Sequence, residues 1–432
     1  RHPRGARVIA FDARGNMWVS RTNDGIVTMI DIQEGRAIGQ KDIFTGLKKP
    51  HGLAFDPASK AEGDLYLAEE GGLSRVAVYR SDARNPENGW YEGMTDLEEV
   101  ELSLRLYSSI VPGKFLELPT SRAYRNHFSR TIAFGPDKKL YLSIGSSCNV
   151  CIEKEDRRAK IFQVDMKVNR ETGGYDVALV PYAIGLRNAV FFVWHPETDA
   201  MWATEMGRDE LGDDLPPDEI NIIEAGKDYG WPYCYGKQVV DTVFENVSET
   251  REHCAQSTPA YIDLPAHSAP LGLAFIPDSW PEKYRGDLLI AYHGSWNRSE
   301  PTGYKITRIK LSESGQYEGE EDFIAGWLTE NEKSFGRPVD LKFGPDGALY
   351  ASDDKAGVAY RVTYEAAERF EPVPAPSDGC RVTGCSGEVC SDEEITTACL
   401  FQPEYVCYQT TVCERQANGE CGWTETGELS SC

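Results

Sequence analysis

The sequence predicts an all-β fold, a six-bladed β-propeller followed by a small C-terminal disulfide-rich module. Three observations point there. A short phrase recurs six times: an aromatic residue, a small Asp/Pro/Gly turn, then an apolar-aromatic strand. No long stretch carries helical periodicity, while aromatic and β-branched residues are frequent. Eight of the twelve cysteines fall in the last 53 residues.

The copies run in order along the chain. Phe11-Asp12 precedes Met17-Trp18-Val19, Phe55-Asp56-Pro57 precedes Leu65-Tyr66-Leu67, and Phe134-Gly135-Pro136-Asp137 precedes Leu140-Tyr141-Leu142. Trp194-His195-Pro196 then precedes Met201-Trp202-Ala203, Phe275-Ile276-Pro277-Asp278 precedes Leu288-Leu289-Ile290, and Phe343-Gly344-Pro345-Asp346 precedes Leu349-Tyr350-Ala351. Each copy reads as a strand end, a turn and a strand start. Turns of this kind also occur in β-sandwiches, but six copies with the same flanks are the mark of a repeat architecture. Their first residues lie 44, 79, 60, 81 and 68 apart. A plain four-stranded blade takes roughly 40–50 residues, so most blades carry extra loop. Long loops on a rigid scaffold are where binding groups usually sit.

The propeller is expected over residues 1–364, a Pro-rich linker over 365–379 and the cysteine module over 380–432. The linker contains Glu371-Pro372-Val373-Pro374-Ala375-Pro376. The module is too short for a good apolar core and needs covalent staples. Its eight cysteines read as four disulfides; the rival zinc reading lacks histidine and paired CxxC spacing. Disulfides imply an oxidising compartment, hence a periplasmic or secreted protein. No signal peptide is visible, and a leader is expected to have been removed before Arg1-His2-Pro3.

Net charge is −24. So acidic a surface repels phosphate backbones and excludes nucleic acid as a partner. No run approaches the ~18 apolar residues of a membrane span. In the propeller, Cys234 and Cys254 flank a loop and are expected to pair. Cys148-Asn149-Val150-Cys151 reads either as redox or metal chemistry or as a structural loop clip. No CxxCH run occurs, so the chain has no c-type haem motif.

A propeller's site usually lies at one end of its channel, where the inner strands begin. Residues upstream of each repeat copy are therefore the candidates. His51 stands four before Phe55, His127 seven before Phe134, and Arg130 four before it. Arg187 and Asn188 stand seven and six before Trp194, and Arg337 six before Phe343. In the fifth blade the polar run comes later, as His293-Gly294-Ser295-Trp296-Asn297-Arg298. A ring of His and Arg in an acidic protein suggests a pocket for a polyanionic small molecule, with a base. Glu205-Met206-Gly207-Arg208-Asp209-Glu210 continues into Leu211-Gly212-Asp213-Asp214, and clustered carboxylates on glycine-kinked backbone suit a hard cation such as calcium.

At these residues the chain resembles the soluble quinoprotein glucose/sorbosone dehydrogenase family, over about residues 7–364. The resemblance rests on Asn126-His127, Gly185-Leu186-Arg187-Asn188, Asp218-Glu219-Ile220-Asn221 with Tyr229-Gly230-Trp231-Pro232, the His293–Arg298 run and Gly336-Arg337-Pro338-Val339-Asp340. It is nearest the sorbosone and pyranose dehydrogenase branch. The resemblance implies pyrroloquinoline quinone (PQQ) bound through Ca2+, a sugar substrate, and electrons passed to an external acceptor such as a cytochrome or a quinone. It implies that His127 is the catalytic base and that Arg187 and Asn188 flank the quinone carbonyls. Arg337 would pair with a cofactor carboxylate, and His293, Trp296 and Arg298 would add contacts from the fifth blade. His51 and Arg130 complete the expected cofactor ring, and Gly207, Arg208 and Glu205 the metal site. The chain departs from the glucose-oxidising branch at Val339, where that branch has a second arginine, and at Met206. Two rival readings use the same propeller: a calcium-dependent hydrolase such as a lactonase, or a non-catalytic extracellular glycan- or protein-binding module.

Overall fold

Each repeated phrase is the hairpin that joins the first two strands of an antiparallel sheet. The computed structural model describes residues 5–58, 64–77, 113–120, 127–169, 175–312, 314–364, 379–384, 388–393, 395, 408 and 411–424. Blade 1 is β1(Ala6–Phe11), β2(Met17–Arg21), β3(Ile26–Gln33) and β4(Arg36–Phe44). Blade 2 is β5(Leu53–Phe55), β6(Asp64–Glu69), β7(Gly72–Ala77) and β8(Gly113–Glu117). Blade 3 is β9(Ile132–Phe134), β10(Leu140–Ile144), β11(Lys160–Val168) and β12(Tyr175–Ile184).

Blade 4 is β13(Phe192–Trp194), β14(Met201–Glu205), β15(Asp218–Ile223) and β18(Ile262–Leu264). The insertion before β18 holds a two-stranded hairpin, β16(Cys234–Tyr235) and β17(Val239–Val240), and one short helix, α1(Thr250–Gln256). Cys234 and Cys254 join these two as a disulfide. Blade 5 is β19(Pro270–Phe275), β20(Leu288–Tyr292), β21(Lys305–Leu311) and β22(Tyr317–Ile324). Blade 6 has three strands among the described residues, β23(Pro338–Phe343), β24(Leu349–Asp353) and β25(Val358–Val362). First strands touch at β1–β5, β5–β9, β13–β19 and β19–β23, and β1 also meets β23, which closes the ring and sets the first strands around the axis.

The phrase recurs for a physical reason. In the first, third and sixth copies its Asp accepts from a turn backbone N–H and from an aromatic on the second strand; in the fourth, His195 Nδ1 accepts from Glu197 N instead. Asp137 Oδ1 takes Lys139 N and Oδ2 takes the Tyr141 hydroxyl; Asp346 does the same for Ala348 N and Tyr350. Asp12 takes Asn16 N and the Trp18 indole. The aromatic that opens each copy packs against the preceding blade. Edge-to-face pairs run Tyr350–Phe11, Trp18–Phe55, Tyr66–Phe134, Tyr141–Trp194, Trp202–Phe275 and Trp280–Phe343, at 5.1–5.6 Å between ring centres. Each pair contributes about 0.5–1.5 kcal/mol beyond its buried area. Apolar clusters likewise lie between blades: Leu142 and Phe162 of blade 3 with Tyr66 of blade 2, and Ile9 and Val19 of blade 1 with Tyr350 of blade 6.

By contact density the chain divides at Tyr364, into Arg1–Tyr364 and Glu365–Cys432. The second unit carries two short hairpins, β26(Arg381–Thr383) with β27(Val389–Ser391) and β28(Cys413–Arg415) with β29(Cys421–Trp423). Disulfides Cys380–Cys421 and Cys390–Cys413 tie these hairpins together. Cys385, Cys399, Cys407 and Cys432, and all of the proposed linker except Gly379, lie outside the described residues. No helix among the described residues is long and apolar enough to cross a membrane.

Candidate active site at the open end of the propeller

First strands begin, and second strands end, at the end opposite the repeated turns. There an open cavity of about 510 Å³ is lined by His127, Arg187, Asn188, Met206, Gly207, Asp209, Asp218, His267, Ala269, Trp296 and Asn297.

His127 stands at the entry to blade 3 with φ +56°, a left-handed backbone that strains a non-glycine residue. Its Nδ1 lies 3.1 Å from the Ser146 carbonyl and 2.9 Å from Ser146 Oγ. Ser146 Oγ gives its own proton to the Cys148 carbonyl at 2.7 Å, so both groups facing Nδ1 are acceptors. Nδ1 therefore carries the imidazole proton, and Nε2 keeps its lone pair. Burial, and then the Arg187 guanidinium, hold the imidazole pKa well below its ordinary 6.5. A neutral imidazole with a free Nε2 at a cavity wall is equipped as a base.

Arg187 and Asn188 lie between β12 and β13. The turn before them needs Gly185: it has φ +71°, and a Cβ there would meet Asp228 Oδ1 at 2.2 Å. Arg187 Nε donates to the Asn149 carbonyl (2.8 Å), Nη2 to Asn149 Oδ1 (2.9 Å), and Nη1 to the Met206 and Gly207 carbonyls (3.2 and 2.9 Å). Asn188 donates its backbone N–H to Glu205 Oε1 (2.9 Å), and its side chain presses on Gly145.

Glu205 ends β14 and is buried. Burial, and then the neighbouring Glu219, raise its pKa well above the ordinary carboxylate range. Its Oε2 has no hydrogen-bond partner, and neither has Asn221 Oδ1, whose amide donates to Glu219 Oε2. Glu205 and Glu219 share a small second cavity with Gly207, Arg208 and Asp241. Asp218 is buried and accepts from Gly207 N, Ala269 N and Ser268 Oγ; burial pushes its pKa up to about 6.

The far wall holds residues that the upstream offsets do not pick out. His267 Nε2 donates to the Gly212 carbonyl (2.8 Å), so its Nδ1 faces Asn297 Nδ2 (3.3 Å) as an acceptor. Asn297 gives its other amide proton to Asp209 Oδ1 (2.9 Å). The signal for His267 was its place eight residues before Phe275.

Of the twelve sequence-predicted residues, the structure brings His127, Arg187, Asn188, Trp296 and Gly207 to the main cavity, with Glu205 and Arg208 behind them. The other five line neither cavity. His51 is fully buried against Phe191 and Thr131. Arg130, also fully buried, donates to the carbonyls of Pro119, His127 and Ser129, and burial pushes its pKa down to about 9. Arg337 donates to the His293 and Gly294 carbonyls, and His293 Nε2 pairs with Asp354 (2.9 Å). Arg298 pairs with Asp214 (3.1 Å) and bonds the Asp213 carbonyl. These polar groups fix loops to one another. Arg208 offers only backbone toward a ligand, since its side chain is in a buried ion pair with Asp241 (2.6 Å).

A family model described as TrAA12-like matches residues 117–365. A Borreliella burgdorferi protein of uncharacterised function is 38% identical over 232 residues, 53% of this chain and 58% of its own length. The PQQ-dependent pyranose dehydrogenase of Coprinopsis cinerea is 30% identical over 163 residues, 30% of this chain and 22% of that one. The chain thus spans less than two thirds of either relative. The calcium structure of the Trichoderma reesei carbohydrate-active enzyme of family AA12 superposes with a TM-score of 0.63 at 18% identity, covering 84% of this chain and 94% of that one. That likeness is one of fold. With the family model matching more than half of its length, the chain belongs to the TrAA12-like family.

Proposed function

We propose that this propeller is an oxidoreductase that oxidises a sugar (an aldose, a pyranose or a sorbosone-like sugar aldehyde) with PQQ and Ca2+ as cofactors and an external electron acceptor. The single observation that carries the reading is the juxtaposition of a neutral His127 with Arg187 and Asn188 on one open cavity. The named activity of the Coprinopsis relative and the fold shared with the Trichoderma carbohydrate-active enzyme support it.

The residues present fit the cofactors. PQQ is a polyanion, yet Asp209 and Asp218 share the cavity with Arg187. Carboxylates facing an anionic ligand call for a bridging cation. The Gly207 carbonyl, Asp218 and the partnerless oxygen of Glu205 are hard donors of the kind Ca2+ takes. Arg187 and Asn188 would hold the quinone edge, and Gly207, with Arg208 backbone and Glu205, the metal.

When bound, PQQ supplies a two-electron, hydride-accepting centre and Ca2+ the Lewis acid that polarises it. His127 Nε2 takes the proton of the sugar hydroxyl whose carbon is oxidised. The imidazolium so formed is steadied by the two Ser146 acceptors already at Nδ1. Arg187 and Asn188 are fixed donors that stabilise negative charge as it develops beside them. Disulfides in both units support an extracytoplasmic setting.

The test is reconstitution. Purified apo-protein with Ca2+ and PQQ should reduce an artificial acceptor in a sugar-dependent way. No PQQ binding and no activity across a broad sugar panel would overturn the proposal.

A further inference from the structure

Cys148 and Cys151 form a disulfide that closes a four-residue ring around Asn149 and Val150. This small ring touches both arms of the candidate site. Its Cys148 carbonyl takes the Ser146 hydroxyl proton, the bond that makes Ser146 Oγ one of the two acceptors at His127 Nδ1. Its Asn149 carbonyl and Asn149 Oδ1 take two donors of Arg187. Asn149 Oδ1 also accepts from Asp209 N (2.9 Å), and Asn149 Nδ2 donates back to the Asp209 carbonyl (3.2 Å). Asn149 thereby stitches the loop after β10 to the loop after β14, 60 residues on. Glu153, just past the ring, holds Ser147 Oγ (2.7 Å). Four residues with no regular secondary structure would not keep such a pattern unaided, because each free residue brings backbone entropy that ordering must overcome. The cross-link removes much of that freedom.

We propose that Asn149, clamped by the Cys148–Cys151 disulfide, is a positioning residue for both His127 and Arg187. It acts through those two residues without touching substrate. The residue orients a guanidinium already committed to the Met206 and Gly207 carbonyls, while the adjoining Cys148 carbonyl orients the base. Its use in sugar oxidation rests on the function proposed above; the geometry it imposes does not.

The experiment therefore has two readouts. In apo-protein, 15N spectra of the His127 ring and the Arg187 guanidinium report the geometry directly. Wild type should show His127 protonated at Nδ1 and slowly exchanging Arg187 N–H signals. Cys148→Ser/Cys151→Ser should give a tautomer mixture at His127, and Asn149→Ala should lose the Arg187 protection. In the reconstituted enzyme, both variants should lose kcat on the order of 10- to 100-fold. Asn149→Asp keeps both oxygen acceptors and should restore most of the Arg187 protection and of the rate. Unchanged tautomer and exchange in folded variants would overturn the proposal, as would equal losses in Asn149→Asp and Asn149→Ala. Thermal unfolding identifies any variant that fails to fold; Ser146→Ala, which removes only the hydroxyl relay, then tests the His127 arm alone. If wild type shows the expected spectra but oxidises no sugar, the activity assignment fails and the positioning stands.

Discussion

Gly145→Ala is the change that tests the cavity geometry most directly. Gly145 follows β10 and has an ordinary backbone conformation, so alanine is allowed there locally. Its Cβ would lie 2.4 Å from Asn188 Oδ1 and 3.0 Å from His127 Cβ, where ordinary contact begins at 3.4 Å. The Asn188 amide must therefore retreat by about 1 Å, and His127 by a few tenths. The amide is the free end of a side chain facing an open cavity, so the fold should lose less than ~1 kcal/mol. Positioning is less forgiving: a displacement of ~1 Å costs on the order of 100-fold in rate, about 2.7 kcal/mol in barrier. The assay is kcat/KM of the reconstituted enzyme beside thermal unfolding of the apo-protein. In a background that already lacks the amide, Asn188→Ala, the added methyl should have little further effect. Full activity in Gly145→Ala with an unchanged melting temperature would refute the idea that the Asn188 amide is held in a critical place.

Three further outcomes are expected. His127→Gln should lower the rate about 10²- to 10⁴-fold while PQQ binding persists. Because the folded pKa of His127 is depressed, its base form survives below 6.5: the wild-type rate should stay level from about pH 8 to about 6.5 and fall only in more acid solution, and a limb centred at or above 6.5 would remove His127 as the base. Asp218 has the opposite sign. Its raised pKa means that the folded state holds the proton more tightly than the unfolded one, so its contribution to stability is present below its ordinary 3.8 and is lost as pH rises through about 6. A bound cation offsets that loss, so Ca2+ should raise the melting temperature more at neutral pH than near pH 4.5; equal gains would exclude Asp218 from the cation's surroundings.

The architecture was legible because its signal is local. An aromatic, a short turn and an apolar strand are written within a short stretch six times over, and in three copies an Asp caps its own turn and holds an aromatic four to six residues on. His127, Arg187 and Asn188 were legible for the same reason, since each stands four or five residues before a first strand. His51, Arg130 and Arg337 stand four, four and six residues before their copies and do not line the cavity. Their place near the axis is set by the repeat, but their partners are carbonyls and rings on other blades, and one sequence does not encode which loop arrives there. His267 escaped because it stands eight residues before Phe275, one place beyond the seven of His127 and Arg187. Asn149 was hidden inside a cysteine pair that drew attention to its sulfurs rather than to the amide between them.

The aromatic pairs that join the blades all lie at the turn end of the strands, while the cavity is built from loops at the other end. Stability and chemistry are thus housed at opposite poles of one scaffold. Substitutions around 146–152, 206–217 or 293–304 can rework what the mouth accepts without loosening the seams between blades. Such a molecule is free to drift in substrate preference over its descent while its melting behaviour stays nearly fixed.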